Sequence, residues 1–157
     1  MTKPLTPTPR TIASGAVGCE LWAPPPRSVR LVFDGYCGFC TRWVRLLQRI
    51  DRHNRVEPLA GQEPHTIDQT GITAAESIDS AWVVLPNGQR VAGAPAIATA
   101  VAVATGTRLP LVFWKLPVVP SLLDRLYRWI AANRRRFRGD TPWCEQHSNS
   151  GRCTSEL

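Results

Sequence analysis

The segment from Leu31 to Cys40 (Leu-Val-Phe-Asp-Gly-Tyr-Cys-Gly-Phe-Cys) constrains this chain more than any other. An apolar run typical of a buried strand ends there in an Asp-Gly turn, and Cys37 and Cys40 follow where a helical pattern begins. A thiol at the start of a helix lies near unpaired backbone N–H groups and the positive end of the helix dipole, which favour the thiolate. Because thiolates attack disulfides and bind metals, the segment indicates redox chemistry or part of a metal site.

The residues that follow predict a strand–helix–strand unit. A helix from Gly38 to about Arg52 separates an apolar strand at Arg30 to Phe33 from a second strand at Val56 to Leu59. Strands joined through such a helix are parallel. The apolar spacing predicts that the buried face of the helix consists of Trp43, Leu46, Leu47 and Ile50.

The remainder of the predicted sheet is an antiparallel hairpin. Ala81 to Leu85 and Arg90 to Ala92 are strand-like and flank an Asn-Gly turn. A short helix is expected between residues 60 and 80, and a helix of small residues from Ala96 to Thr105, ending at Gly106, follows the hairpin.

A last helix is predicted from about Leu122 to Arg136. Ser121 and Asp124 resemble a capping box at its start. Its predicted apolar face consists of Leu122, Leu123, Leu126, Trp129 and Ile130. The whole order of elements predicts an α/β fold, namely a thioredoxin-like mixed sheet flanked by helices with an extra C-terminal helix.

Composition divides the chain into three parts. Residues 1–28 are rich in proline and are predicted to form a flexible arm, residues 29–138 form the domain, and residues 139–157 form a polar tail. The N-terminus lacks the apolar region of a signal peptide, so a cytoplasmic location with mostly reduced thiols is expected. No apolar run is long enough to predict a transmembrane helix.

The motif Asp34-Gly-Tyr-Cys37-Gly-Phe-Cys40 resembles that of the DCC family of predicted thiol–disulfide oxidoreductases, which is named for an Asp-x-x-Cys-x-x-Cys pattern. The similarity continues at Trp43-Val44, at Val56 to Leu59, through the hairpin and at the end of the last helix, and covers roughly residues 29 to 140. The resemblance implies a thioredoxin-like fold and assigns Cys37 and Cys40 as the redox pair. It implies little about the substrate or redox partner that carries the disulfide.

The chemistry predicted for this pair is dithiol exchange. Cys37 would attack a disulfide, and Cys40, one turn later and more buried, would resolve the mixed disulfide. By analogy with the buried acid of thioredoxins, Asp34 is a candidate acceptor for the proton of Cys40. The alternative is a turn residue that binds the backbone of Gly35 and Tyr36. Thioredoxins place a cis-proline before the strand that faces the cysteines. The residues before Trp82 include none, which argues against thioredoxin-like peptide recognition.

The other cysteines leave alternatives open. Cys144, His147 and Cys153 have the residue types to complete a zinc site with Cys37 and Cys40, but they lie in the polar tail. Cys144 and Cys153 are interpreted as free thiols in preference to a tail disulfide or a partner for the active pair, and Cys19 as an exposed thiol. No cofactor and no bound metal are predicted.

The net charge of +7 is concentrated near the C-terminus. Arg134, Arg135, Arg136 and Arg138 are candidates for peripheral contact with an anionic membrane surface, beside the apolar stretch 109–119 with Trp114. The same cations are typical of a solvated helix C-terminus, and a nucleic-acid partner is the weaker interpretation. The alternatives to an enzyme are therefore an interaction module that docks through this basic helix and a cysteine-based metal-binding module.

Overall fold

The computed structural model describes residues 26–107, 109, 118–147 and 153, which form a four-stranded sheet with helices on both faces. Most of the predicted arm with Cys19, and most of the stretch 109–119 with Trp114, lie outside the described residues. None of the helices in the described part of the chain is both long and apolar enough to cross a bilayer.

The sheet has the order β2-β1-β3-β4. Its strands are β1 (Val29–Phe33), β2 (Val56–Ala60), β3 (Trp82–Val84) and β4 (Arg90–Ala92). β1 pairs parallel with β2 and antiparallel with β3, and β3 pairs antiparallel with β4. The predicted parallel unit and the predicted hairpin are therefore both confirmed, and with them the mixed sheet of the predicted fold class.

Six helices accompany the sheet in the described ranges. They are α1 (Gly38–Ile50), α2 (Thr66–Thr70), α3 (Ala74–Asp79), α4 (Ala94–Thr105), α5 (Val119–Asn133) and α6 (Trp143–Gln146), with a 3₁₀ turn at Arg134–Arg136. Two short helices, α2 and α3, stand where one was predicted, and α3 begins with a capping box formed by Thr73 and Glu76. As predicted, α4 ends at Gly106, which has the left-handed φ of +66°.

The two faces of the sheet carry separate apolar clusters because side chains alternate along each strand. Leu31, Phe33 and Val83 pack with Val44 of α1 and with the small residues of α4. On the opposite face, Val32 and Val84 pack with Ile72, which lies between α2 and α3. The carboxyl end of β1, and with it the start of α1, therefore lies at the edge of the cluster that contains Phe33.

The predicted buried face of α1 was wrong in all but Leu47. The buried residues are Thr41, Val44 and Leu47, whereas Trp43, Leu46 and Ile50 are 55%, 43% and 41% exposed. Two apolar stripes run side by side along this helix, and the one containing Cys40 and Val44 faces the sheet. Because the stripe that faces the sheet includes the polar Thr41, the sequence pattern favoured the neighbouring stripe with Trp43 and Leu46.

The prediction for the last helix also needs correction. α5 begins at Val119 without a side-chain cap, so Ser121 and Asp124 do not form a capping box at its start. None of its residues is buried, and Leu122, Leu126 and Trp129 of the predicted apolar face are exposed. Tyr127 of this helix instead contacts Ala81 in the loop before β3, and Arg134, in the 3₁₀ turn after the helix, donates to the carbonyl of Ile78 in α3.

Candidate active site

The two cysteines of the motif lie at the N-terminus of α1, as predicted. Cys37 is the N-cap residue, and its Sγ accepts a hydrogen bond from the backbone N–H of Cys40 at 3.2 Å. The Cys40 thiol donates to the Cys37 Sγ at a distance of 2.6 Å between the two sulfurs. Both side chains are half-buried free thiols, so the site is described in its dithiol state.

The two thiols of the pair titrate very differently. The hydrogen bond from the Cys40 thiol lowers the pKa of Cys37 from 9.0 to about 6, and the backbone N–H of Cys40 and the guanidinium of Arg134 act in the same direction. Partial burial and the Asp34 carboxylate oppose this shift. The pKa of Cys40 is raised by the same hydrogen bond, by burial and by the charge on Cys37. Near neutral pH the pair therefore holds a thiolate on Cys37 and a proton on Cys40.

Arg134 reaches this pair from the end of the C-terminal helix. Its Nη1 lies 3.9 Å from the Cys40 Sγ, its Nη2 lies 3.5 Å from the Asp34 Oδ2, and Nη2 also donates to the carbonyl of Ile78. The side chain is only 15% exposed. Arg134 was expected on the basic surface, and the structure places it in the site. The sequence offers one indication of this position: Arg134 follows Tyr127 by seven residues, a spacing that puts both side chains on one helix face.

Asp34 lies beneath the pair at the end of β1 and is buried. Its Oδ1 accepts hydrogen bonds from the backbone N–H of Tyr36 at 3.1 Å and from the Gln62 Nε2 at 3.2 Å. The contact with Tyr36 is the turn role anticipated from the sequence. Gln62, which sequence reasoning missed, also accepts from the N–H of Gly35 at 2.8 Å and so fixes the turn on which Asp34 stands.

The predicted polar tail packs under the active-site turn. Thr41 is fully buried; its hydroxyl donates to the carbonyl of Cys37 at 3.1 Å and accepts from the N–H of Trp143 at 3.0 Å. Asp140 N–H binds the carbonyl of Gly38, and the Trp143 ring meets Phe33 edge-on in the core. Gly38 has no room for a side chain, since an added Cβ would lie 2.3 Å from the Asp140 carbonyl oxygen.

Cys144 and Cys153 form a disulfide, so the preferred interpretation as two free thiols was wrong. Cys144 is 2% exposed and its backbone N–H binds the carbonyl of Gly35. A Cβ added at Gly35 would lie 2.6 Å from the Cys144 Sγ, which shows how closely the disulfide abuts the active-site turn. The polar composition of the tail gave no indication of this burial.

The loop before β3 is covered by α5. The hydroxyl of Tyr127 accepts from the N–H of Ala81 at 2.9 Å and lies 3.0 Å from the Ser80 Oγ. A shallow cleft of about 540 Å³ remains between this loop and α5, with Arg134 at one end. The backbone that would bind a substrate chain in thioredoxin therefore already has a partner here.

The described residues do not assemble the donor set of a metal site. Within residues 26–107 and 118–147, no group of three or more His, Cys, Asp and Glu side chains is placed to hold an ion. Cys144 is bonded to Cys153, so neither sulfur is available to complete a site with Cys37 and Cys40. His53 and His65 are exposed.

Comparison with known proteins agrees with the family resemblance of the motif. No curated protein and no solved structure shows significant similarity to the chain. A family model described as DCC1-like thiol-disulfide oxidoreductase matches residues 31–140. The match includes the last three residues of β1, the cysteine pair, the hairpin, α5 and Arg134. The chain therefore belongs to the DCC1-like thiol-disulfide oxidoreductase family.

Proposed function

We propose that the protein is an enzyme that exchanges the Cys37–Cys40 dithiol with a disulfide substrate. The observation that carries this proposal is the pairing of the two sulfurs at 2.6 Å, with the pKa of Cys37 lowered to about 6 and that of Cys40 raised. A nucleophile that is ionised at neutral pH and a protonated neighbour within bonding reach are the two parts that dithiol exchange needs.

In the first step, the Cys37 thiolate attacks one sulfur of the substrate disulfide. A mixed disulfide forms between Cys37 and that sulfur, and the other substrate sulfur leaves as a thiolate. Once Cys37 carries no charge, the hydrogen bond and the negative charge that held the proton on Cys40 are gone. Cys40 then loses its proton and attacks the Cys37 Sγ. The Cys37–Cys40 disulfide forms, and the second substrate thiolate leaves.

Asp34 and Arg134 have complementary roles in this proposal. Asp34 is the buried carboxylate whose charge acts on both cysteines, and it accepts the Cys40 proton during the second step. Arg134 contacts the Cys40 Sγ and the Asp34 carboxylate together, so it favours the thiolate that forms on Cys40 and holds the carboxylate in place. Gln62 and the N–H of Tyr36 orient the other carboxylate oxygen.

The proposal extends to the class of substrate and the direction of exchange. Tyr127 of α5 already binds Ser80 and the N–H of Ala81, so a substrate would not find that N–H free for pairing in the loop before β3. We therefore expect the substrate to approach Cys37 from solvent. In the direction written above, the dithiol reduces the substrate disulfide and is itself oxidised to the Cys37–Cys40 disulfide. A thiol reductant would then regenerate the dithiol from the Cys37–Cys40 disulfide.

A trapping experiment tests this function. Cys40→Ser removes the resolving sulfur, so substrates should accumulate on Cys37 as mixed disulfides that dithiothreitol releases. The matched control is the Cys37→Ser, Cys40→Ser double variant, which should trap nothing. Equilibration of the wild type with glutathione buffers should also yield an intramolecular Cys37–Cys40 disulfide by peptide mapping. Absence of that disulfide across the whole range of buffers would refute the proposal.

A further inference from the structure

We propose that an aromatic and arginine-rich surface beside Cys37 docks on anionic phospholipid membranes. We call it the docking surface. Its apolar residues are Phe39, Trp43, Leu46, Leu126, Trp129 and Phe137. Its basic residues are Arg42, Arg135, Arg136 and Arg138.

The rings of this surface form one continuous cluster across two elements. Phe39 contacts Trp43 with ring centroids 6.1 Å apart and Phe137 at 5.3 Å, and Phe137 contacts Trp129 at 5.8 Å. Trp43 and Trp129 nevertheless remain 55% and 58% exposed. Large rings that pack on one another at the surface and stay exposed among the described residues are typical of a binding surface.

Exposed apolar stripes extend this cluster along both helices. On α1, Phe39, Trp43 and Leu46 recur at i, i+4 and i+7, and on α5, Leu122, Leu126 and Trp129 have the same spacing. Trp43 and Leu46 belong to the face of α1 that the sequence pattern placed in the core. Both helices therefore carry apolar side chains that the other described residues leave exposed.

Positive charge surrounds the apolar residues. Within α1 and residues 118–138 the chain has nine arginines and a single acid, Asp124, which pairs with Arg128. Arg42 Nη1 donates to the carbonyl of Arg138, which joins the basic residues of the two elements. Arg135, Arg136 and Arg138 are exposed and form no ion pair with the described residues. Aromatic and aliphatic side chains between arginines are the composition that binds the interface of an anionic bilayer.

The charges favour an anionic lipid surface over a second copy of this chain and over a nucleic acid as the partner of the docking surface. A second copy of this chain would bring the same arginines face to face, and like charges oppose that association. A nucleic acid would pair with the arginines but would leave the aliphatic residues Leu46 and Leu126 in water. An anionic bilayer satisfies both parts, because its headgroups meet the arginines and its interface accepts the apolar side chains.

The position of the surface has a consequence for the active site. Phe39 lies between Cys37 and Cys40 in the sequence, and Tyr36, which precedes Cys37, is 41% exposed. Docking would therefore bring Cys37 close to the bilayer, where it would meet disulfides carried by membrane-associated molecules. This consequence rests on the proposed exchange function, whereas membrane binding itself does not.

Co-sedimentation of the full chain with vesicles tests the docking. Vesicles of equimolar phosphatidylglycerol and phosphatidylcholine should bind the protein at low salt, and pure phosphatidylcholine vesicles should not. Arg135→Gln, Arg136→Gln and Arg138→Gln together should lower the partition coefficient about a hundredfold, since each basic residue near an anionic surface contributes roughly fivefold. Trp43→Ser with Trp129→Ser should lower it at least tenfold.

Matched variants elsewhere on the molecule separate docking from general charge and hydrophobicity. Arg27→Gln with Arg52→Gln removes exposed cations outside the docking surface, and Ile67→Ser removes an exposed apolar residue on α2. Both should bind vesicles nearly as well as the wild type. Absence of binding at low salt, equal binding to both vesicle types, or equal losses in the surface and control variants would each overturn the proposal. The alkylation rate of Cys37, measured in every variant, reports on the exchange site independently.

Discussion

The described part of the protein contains two pairs of cysteines whose surroundings differ in almost every respect. Cys37 and Cys40 are half-buried free thiols at the N-terminus of α1, with a hydrogen bond between their sulfurs and Arg134 beside them. Cys144 and Cys153 are joined as a disulfide, and Cys144 is enclosed beneath the turn at Gly35. One pair has the environment of a reactive dithiol and the other has that of a covalent clamp.

The difference between the two pairs follows from the position of each cysteine on the backbone. The thiol of Cys37 has the backbone N–H of Cys40 and a protonated neighbour to stabilise its negative charge. Cys144 instead contributes its backbone N–H to the carbonyl of Gly35 and its sulfur to the core. The clamp thereby holds the segment that binds Thr41 and Gly38 against the start of α1. We therefore expect the first pair to control chemistry and the second pair to control stability.

The largest effect should come from Cys37→Ser. It removes the only sulfur that we assign to the attacking step, so exchange with a disulfide reporter should fall by about a thousandfold or more. Cys144→Ala with Cys153→Ala should keep the rate within about twofold, because these sulfurs do not take part in exchange. The measurement is the rate of reporter reduction with dithiothreitol as the electron source. Comparable losses in both variants would remove the distinction between the pairs.

The pH dependence of Cys37 reactivity should be the next largest effect. Because only the thiolate reacts, alkylation by iodoacetamide should rise with pH to a plateau with a midpoint at about 6, three units below the ordinary value of 9.0. Cys40→Ala removes the hydrogen bond that is the main cause of the shift, so its midpoint should move upward toward 9.0. Mass spectrometry of the labelled peptide, in a Cys19→Ser background, measures both curves. Coincident curves would show that the sulfur–sulfur hydrogen bond does not set the pKa.

The position of the cysteine pair was largely predictable from the sequence because its signals are local. Spacing of three residues and a helix start place Cys37 and Cys40 together whatever the rest of the chain does. The sheet was predictable for a similar reason, since apolar runs and an Asn-Gly turn define β1 to β4 one by one. The family match over residues 31–140 includes the cysteine pair and nearly the whole sheet.

Long-range contacts account for what sequence reasoning missed. Arg134 is one of three consecutive arginines, and only the path of α5 brings this one to Cys40 and Asp34. The composition of the segment with Cys144 predicts a polar tail, because the contact of Trp143 with Phe33 cannot be inferred from composition. α1 has two neighbouring apolar stripes, and only its packing against the sheet determines which of them is buried.

Loss of the Cys144–Cys153 disulfide should have an intermediate effect, on stability. A crosslink between residues with a sequence separation of 9 is expected to contribute about 2–3 kcal/mol by restricting the unfolded chain. Reduction of the wild type should therefore lower the free energy of unfolding by about that amount in a urea titration. Cys144→Ala with Cys153→Ala should be as unstable as the reduced wild type and insensitive to reductant. If reduction of the wild type leaves its stability unchanged, the clamp does not exist in solution.

The smallest effect should come from Arg134→Gln, which tests whether the C-terminal helix contributes to the reactive pair. The guanidinium is a secondary cause of the low Cys37 pKa, after the hydrogen bonds from Cys40, so its loss should raise that pKa by up to about one unit. At pH 6 this shift would slow alkylation about fivefold. Arg135→Gln is the matched control, because it removes the same charge from an exposed neighbour. Arg134→Lys restores the charge without the two-pronged contact to Cys40 and Asp34, and should recover only part of the rate. A purely structural role would change the melting temperature of Arg134→Gln and leave its alkylation midpoint at about 6. A displaced midpoint in this variant alone would therefore extend the reactive pair to a third residue, supplied by an element about a hundred positions further along the chain.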